Sequence, residues 1–237
     1  MPGESRLRLV SIYPTLLGTY GDGGNLRVLS ARARARGYEV DAIELDAGVP
    51  VPETADLYVL GGGEDDAQVA AARALRADGG LARAASRGAV IVGVCAGYQL
   101  LGAVFPGSGG LPEPGVGILD VTTDRLAKRA VGELLATPRY DPLREPLTGY
   151  ENHAGATHLG ADARALATVE QGIGNGDGTE GAVQGRVLGT YLHGPGLARN
   201  PELADLVLSW VVGTDLPAWV QPDIEALRAE RLAAVRR

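Results

Sequence analysis

The sequence predicts an α/β fold: a mostly parallel central sheet flanked by helices, with a strand-rich second half. Three observations predict it. Apolar runs alternate with helically spaced stretches from Leu7 to Leu101, the pattern of a parallel sheet covered on both faces. Short apolar runs separated by Asn175-Gly176, Asp177-Gly178 and several prolines then follow. Between the two lies the run Ala89 to Val94, which ends in Gly93-Val94-Cys95-Ala96-Gly97. This is the G-x-nucleophile-x-G form of a nucleophile elbow, with Cys where Ser is usual.

Leu7 to Tyr13 reads as the first strand. The loop from Gly18 to Asn25 follows, and then a helix from Leu26 to Arg36, ended by Gly37. The loop is either a glycine turn with Asp22 or Asn25 capping the helix, or a binding loop at the C-terminal end of a strand. Tyr38 to Leu45 and Leu57 to Leu60 read as the next strands. The second runs into Gly61-Gly62-Gly63-Glu64-Asp65-Asp66, which is either a tight turn or a place where bare N–H groups face a ligand. Helices are expected over Asp65 to Arg76 and Leu81 to Ser86, and another opens at Tyr98-Gln99 after the cysteine. In the second half, Gly115 to Asp120, Ala130 to Leu135, Ala165 to Val169 and Gly185 to Leu192 read as strands. Pro201 to Val212 and Pro222 to Arg237 read as helices with proline at their starts. The last would turn Ile224, Leu227 and Leu232 to one face, its charges forming a solvated face or a partner-binding one. Residues 1–215 are expected to form one domain, with 216–237 a helical extension of it.

Composition bounds the function. A hydrophobic share of 45% can build a full core, and a net charge of −7 argues against nucleic acid as a partner. Cys95 is the only cysteine, which excludes an internal disulfide and a multi-cysteine metal site and fits a reducing cytosol. Met1 to Ser5 carries an acid and no apolar run, so no signal peptide is expected. No apolar run is long enough to span a membrane. Of the 22 basic residues only Lys128 is a lysine, and no G-x-x-x-x-G-K-[ST] precedes it. Any step that needs ATP is therefore expected on another chain.

A lone cysteine is usually a small hydrophobe, but a thiol that only packs has no use for an elbow. A thiol nucleophile also needs a base. Of the three histidines, His193 follows a buried strand in Thr190-Tyr191-Leu192-His193-Gly194, at the sheet edge where the elbow stands. His153 is the rival base, and His158 has no motif around it. Cys with His suggests acyl transfer through a tetrahedral oxyanion and a thioester. Backbone donors for the oxyanion are expected from Ala96 and from Gly62 or Gly63, each worth roughly 3 kcal/mol of barrier.

Gly93-Val94-Cys95-Ala96-Gly97-Tyr98-Gln99 resembles the G-x-C-x-G-x-Q signature of class I glutamine amidotransferases, and Gly61-Gly62-Gly63 resembles their oxyanion loop. Gly149-Tyr150-Glu151-Asn152-His153-Ala154-Gly155 and Gly189-Thr190-Tyr191-Leu192-His193-Gly194 resemble the branch related to cobyric acid synthase. Within it, Tyr20 to Asn25, Gly61 to Asp65 and Tyr150 to His153 look most like the glutaminase subunits of bacterial lipid II isoglutaminyl synthases. The resemblance runs from the first strand to about residue 215.

It implies a flavodoxin-like fold and a cytoplasmic subunit, reaching the inner membrane face through its complex. Such a subunit hydrolyses L-glutamine and passes ammonia to a Mur-ligase-like partner. That partner would use ATP and Mg to convert D-glutamate of the lipid II stem peptide to D-isoglutamine, with no cofactor or metal in this chain. Cys95 would be the nucleophile and His193 the base. Arg129 would hold the α-carboxylate, with Gln99, Asn152 and His153 as further substrate contacts. Many members of the class carry an acid two residues after the His, and here Pro195 stands there. Glu151, or an acid from the partner, is therefore expected to orient His193. An amidotransferase subunit for a cobyrinate-like acceptor, a stand-alone Cys-His hydrolase of γ-glutamyl compounds and a scaffold with a vestigial cysteine are the alternatives.

Overall fold

The computed structural model describes residues 6–236, so Met1 to Ser5 and the reading made of them lie outside the described residues. Strands β1 (Arg6–Ile12), β2 (Glu39–Leu45), β3 (Leu57–Leu60) and β4 (Val90–Val94) alternate with helices α1 (Gly23–Ala35), α2 (Asp65–Asp78) and α3 (Gly80–Ser86). The elbow leads into α4 (Ala96–Leu101). The second half supplies β5 (Val104–Pro106), β6 (Pro112–Pro114), β7 (Val121–Pro138), β8 (Leu147–Leu159), β9 (Arg164–Gln171), β10 (Thr179–Gln184) and β11 (Val187–Thr190). Helices α5 (Gly196–Arg199), α6 (Pro201–Val212) and α7 (Pro222–Val235) close the chain.

The strands form one sheet in the order β2-β1-β3-β4-β11-β10-β9-β7-β5-β6, with β8 paired to β7. From β2 to β11 the neighbours run parallel. Beyond β11 the pairing of β10, β9, β7 and β8 is antiparallel. Residues of β3, β4 and β11 are buried throughout, as befits strands covered on both faces. Alternate side chains divide between two cores. Tyr58, Leu60 and Ile91 pack with Leu75, Leu81 and Tyr98 on the side of α2, α3 and α4. Leu57, Val59, Val90 and Val92 pack with Leu29, Leu203 and Val207 on the side of α1 and α6.

The parallel strands share a direction, so the loops after β1, β3, β4 and β11 open at one edge of the sheet. Those loops carry Asp22, Gly61 to Gly63, Cys95 and His193. This is where α/β sheets place ligands.

Three sequence expectations need correction here. Gly115 to Asp120 is no strand, because its amides are used elsewhere. Val116 N–H donates to Leu100 O at 2.7 Å and Ile118 and Leu119 N–H both donate to Leu101 O at 2.9 Å, covering the open carbonyl end of α4. Strands β8 and β10 were not expected. β8 alternates buried and half-buried residues over Leu147–Leu159, but its glycines and polar residues disguise the period. Finally, Leu227 does not join a buried face of α7, being 54% exposed, and the buried residue of that helix is Arg228. Its guanidinium donates to Arg199 O, Asn200 Oδ1 and Pro146 O, which fastens the helix by hydrogen bonds rather than by an apolar stripe.

Candidate active site

Cys95 sits at φ 52°, ψ −105°, a backbone conformation that L-residues avoid. The flanking glycines are required by contact. A Cβ on Gly97 would lie 2.5 Å from Leu60 O, and one on Gly93 would lie 2.8 Å from the Gly97 carbonyl. The elbow is braced by Cys95 N–H donating to Thr190 O at 2.9 Å and Gly97 N–H to Gly61 O at 3.0 Å. The sulfur is thus held between the loops that follow β3 and β11.

His193 comes to the same spot. It is fully buried, and its backbone pairs with Tyr150 through His193 N–H to Tyr150 O at 2.9 Å and Tyr150 N–H to His193 O at 3.2 Å. A Cβ placed on Gly62 would lie 2.8 Å from His193 Cε1, 3.1 Å from Asp22 Oδ2 and 3.6 Å from Cys95 Cβ, so the three side chains converge around one glycine. His193 Nδ1 lies 3.0 Å from Asp22 Oδ2 and 3.1 Å from Oδ1. That leaves Nε2 free for the sulfur: among the described residues it has no hydrogen-bond partner, and the Cys95 thiol donates to Asn152 O at 3.9 Å. Burial pushes the imidazole toward its neutral form. The hydrogen bond to Asp22, the neighbouring Cys95 sulfur and the charges of both outweigh it, raising the His193 pKa to about 10. The arrangement favours a protonated imidazole beside the Cys95 sulfur.

Asp22 is therefore the acid that orients His193, and the expectation of Glu151 or a partner residue is corrected. The loop after His193 explains why. Pro195 packs on Gly24, and Leu197 N–H donates to Asn25 Oδ1 at 3.0 Å, so the start of α1 is pressed against the histidine loop. Asp22, just before α1, makes no helix-capping hydrogen bond and is free to serve the imidazole. Glu151 accepts from Ile173 N–H at 2.8 Å and Gly174 N–H at 2.9 Å, and its remaining neighbour is His153 at 3.4 Å.

The oxyanion donors are corrected in part. Gly62 N–H donates to Asp22 Oδ2 at 2.8 Å and is spent. Gly63 N–H and Ala96 N–H, the first amide of α4, have no protein acceptor among the described residues. Both residues line the pocket over Cys95, so they remain as the pair for an oxyanion.

That pocket measures about 40 Å³ and is also lined by Tyr20, Glu64, Gln99, Arg129 and Asn152. Arg129 stands in the bulge of β7 between Arg125 and Ala130, which turns it toward the mouth. Its Nε donates to Asn152 Oδ1 at 2.6 Å, and Asn152 Nδ2 donates to the Tyr20 hydroxyl at 2.5 Å. Tyr20 in turn sets its ring edge-on to His193, centroids 5.1 Å apart. Tyr20, Asn152 and Arg129 thus form a hydrogen-bonded rim on the pocket.

Gln99 and His153 line the pocket and also bond internal partners, with His153 Nε2 left without a hydrogen-bond partner among the described residues. Gln99 Oε1 accepts from Gln68 at 2.8 Å, and its amide donates to the Tyr191 hydroxyl at 3.2 Å. His153 is buried, stacked on Tyr191 at 3.6 Å and bonded through Nδ1 to Gly155 O at 3.0 Å. They shape the floor. His158 is exposed, as its lack of a motif suggested. A larger cavity of about 660 Å³ lies under α7, lined by Arg32, Leu147, Asp205, Trp219 and Arg228, and contains none of the expected site residues. Among the described residues no His, Cys, Asp or Glu cluster could hold a metal ion, and no helix is long and apolar enough to cross a membrane.

Residues 8–201 match the CobB/CobQ-like glutamine amidotransferase domain. The chain is similar to the GatD subunit of lipid II isoglutaminyl synthase (glutamine-hydrolyzing) from Staphylococcus aureus, 34% identical over 81% of this chain and 79% of that one. It is 31% identical to the Streptococcus pneumoniae GatD subunit over 84% of this chain and 78% of that one. Cobyric acid synthase of Sphingopyxis alaskensis is 34% identical over 81% of this chain but only 40% of its own length. In fold, the chain resembles a crystal structure of a glutamine amidotransferase (TM-score 0.57, 20% identity, 86% of this chain and 98% of that one). It also resembles the glutaminase domain of Trypanosoma brucei CTPS with bound acivicin (TM-score 0.53, 11% identity, 90% and 96% covered). With the elbow, the histidine and the sheet edge in agreement, the chain belongs to the CobB/CobQ-like glutamine amidotransferases.

Proposed function

We propose that this chain is the glutamine-hydrolysing subunit of a lipid II isoglutaminyl synthase. Ammonia from glutamine passes to an ATP-dependent, Mur-ligase-like partner, which amidates D-glutamate of the stem peptide to D-isoglutamine. The chemistry rests on one juxtaposition, Cys95, His193 and Asp22 meeting at Gly62. The Cys95 thiolate attacks the γ-carboxamide carbon of glutamine, and a C–S bond forms as the carbonyl electrons move to oxygen. The oxyanion is held by the N–H groups of Gly63 and Ala96. His193 gives its Nε2 proton to the leaving nitrogen, the C–N bond breaks and ammonia departs. Neutral His193 then takes a proton from water, whose oxygen attacks the thioester. The C–S bond breaks, glutamate leaves, and thiolate and imidazolium are restored. Arg129 holds the α-carboxylate once the substrate displaces Asn152 from it.

The choice of acceptor is supported by the extent of likeness. The GatD relatives match over about four fifths of both chains, whereas the cobyric acid synthase match spans 40% of that protein. The absence of a P-loop supports a division of labour in which the partner handles ATP. The test is co-purification with the native partner, followed by mass measurement of amidated lipid II with glutamine or with ammonium as nitrogen source. Cys95→Ala is expected to lose glutamine-dependent amidation and keep the ammonium-dependent reaction. Amidation of a cobyrinate-like compound in place of lipid II would overturn the acceptor, and full glutamine-dependent activity in Cys95→Ala would overturn the mechanism.

A further inference from the structure

Behind His193 lies a carboxylate that the chemistry above does not use. Glu180 of β10 is fully buried. Its Oε1 accepts from Thr190 Oγ1 at 2.5 Å and from Tyr191 N–H at 2.9 Å. Thr190 Oγ1 in turn accepts from Leu192 N–H at 3.1 Å. One carboxylate oxygen and one hydroxyl thus fix two successive amides of the segment that leads from β11 to His193.

Local backbone explains why a side chain is needed there. The β10–β11 ladder ends at the pair Ala182–Gly189. At Gly181 the chain turns to φ +61°, and a Cβ on that glycine would lie 2.6 Å from Gly189 O. Beyond this point β10 offers no backbone partner to Thr190 and Tyr191, and the Glu180 carboxylate takes over from the ladder. Burying it is costly, because Oε2 has no partner among the described residues. Burial pushes the carboxyl up to about 7, and either protonation state leaves Oε1 able to accept. An aliphatic residue would fill the space without that cost and would leave the two donors unpaired.

We propose that Glu180 is a positioning residue for glutamine hydrolysis: by holding Thr190 and Tyr191 it sets the approach of His193 Nε2 to the Cys95 sulfur. This deepens the proposed function and rests on the Cys95–His193 pair assigned there. The test compares Glu180→Ala, Glu180→Gln and Thr190→Val with the parent full-length chain. Three quantities are measured: kcat and KM for glutamine, the pH dependence of Cys95 alkylation by iodoacetamide, and the melting temperature. Glu180→Ala is expected to lower kcat by about a hundred-fold, the scale of a misplaced catalytic group, with little change in KM. It also moves the onset of Cys95 alkylation to higher pH, because the thiolate loses its imidazolium partner. Glu180→Gln keeps an acceptor oxygen at the same place and restores both. Thr190→Val moves both in the direction of Glu180→Ala, by less.

A purely structural role would lower the melting temperature and leave the alkylation profile where it is, and that result overturns the proposal. If Glu180→Ala does not fold, Thr190→Val decides: parental kcat and a parental profile overturn it equally. His193→Ala is the control for the underlying assignment. If that variant keeps parental turnover, the Cys95–His193 pair itself is wrong. If it is inactive while Glu180→Ala is unaffected, only the role of Glu180 falls.

Discussion

Replacing Asp22 with Asn exchanges one carboxylate oxygen for an NH2 group at constant volume. The parent side chain serves two donors, Gly62 N–H at 2.8 Å and His193 Nδ1 at 3.0 Å. An amide has one acceptor oxygen, so it satisfies one donor and turns hydrogens toward the other. If the oxygen stays with Gly62, the imidazole adopts the tautomer with its proton on Nε2, and it can no longer take the sulfur's proton. If the oxygen turns to His193, the buried Gly62 N–H is left unpaired, at about 1–3 kcal/mol. In both cases the imidazolium loses its counter-charge. The same exchange in a Ser-His-Asp triad costs about ten-thousand-fold, and a thiol leans less on its base than an alcohol does. We therefore expect kcat to fall by roughly a hundred- to ten-thousand-fold, about 3–5 kcal/mol of barrier. KM should change little, because Asp22 bonds His193 and Gly62 and not Arg129. The assay is ammonia release followed with glutamate dehydrogenase. An Asp22→Asn variant with parental kcat, alone or with the partner, would refute this reasoning and return the orienting acid to another chain.

Arg129→Ala should raise KM for glutamine about ten- to hundred-fold, the worth of a charged hydrogen bond, with kcat little changed in the same assay. Activity should hold through neutral pH and fall as pH rises through about 10, because the raised His193 pKa keeps the imidazolium present below that value and loses it above. The same shift contributes stability that is complete below the ordinary 6.5 and gone above about 10, so the melting temperatures of parent and His193→Ala should converge over that window. Gly97→Ala should destabilise by about 1–3 kcal/mol through the clash with Leu60 O, read from the denaturant midpoint. Tyr20→Phe removes the rim's bond to Asn152 and should speed alkylation of Cys95 by bulky reagents; an unchanged rate would show that the rim opens without it.

Where local pattern and tertiary environment agree, the fold and site were readable in advance. The buried strands β3 and β4, the elbow and the helix from Pro201 to Val212 stand where apolar runs and proline place them. Cys95 and His193 were singled out by the elbow and by the strand end, and Arg129 by the family resemblance; the structure brings the first two together at Gly62 and sets Arg129 in the lining of the Cys95 pocket. Asp22 was harder. Read locally, an Asp before a helix is a cap, and only the packing of Pro195 on Gly24 brings it to an imidazole 171 residues away. A helix-opening acid at the edge that carries the nucleophile was the available signal. Gly62 illustrates the opposite case: its backbone freedom was legible, but the partner of its N–H depends on where Asp22 lands. Gln99 and His153 line the pocket as expected of substrate contacts, but their internal bonds to Gln68, Tyr191 and Gly155 depend on the pairing of β8 with β7 and the seating of α2 on α4, which no local pattern carries.

The central claim is that the Cys95 sulfur forms a thioester with the glutamyl group under the control of His193. Acid-quenched turnover with glutamine, read by intact and peptide mass spectrometry, tests it most directly. A glutamyl adduct on the Cys95 peptide that appears at the rate of ammonia release, and is lost in Cys95→Ala, is the predicted result. Ammonia release by the parent with no adduct at Cys95, or undiminished release by Cys95→Ala, would contradict it.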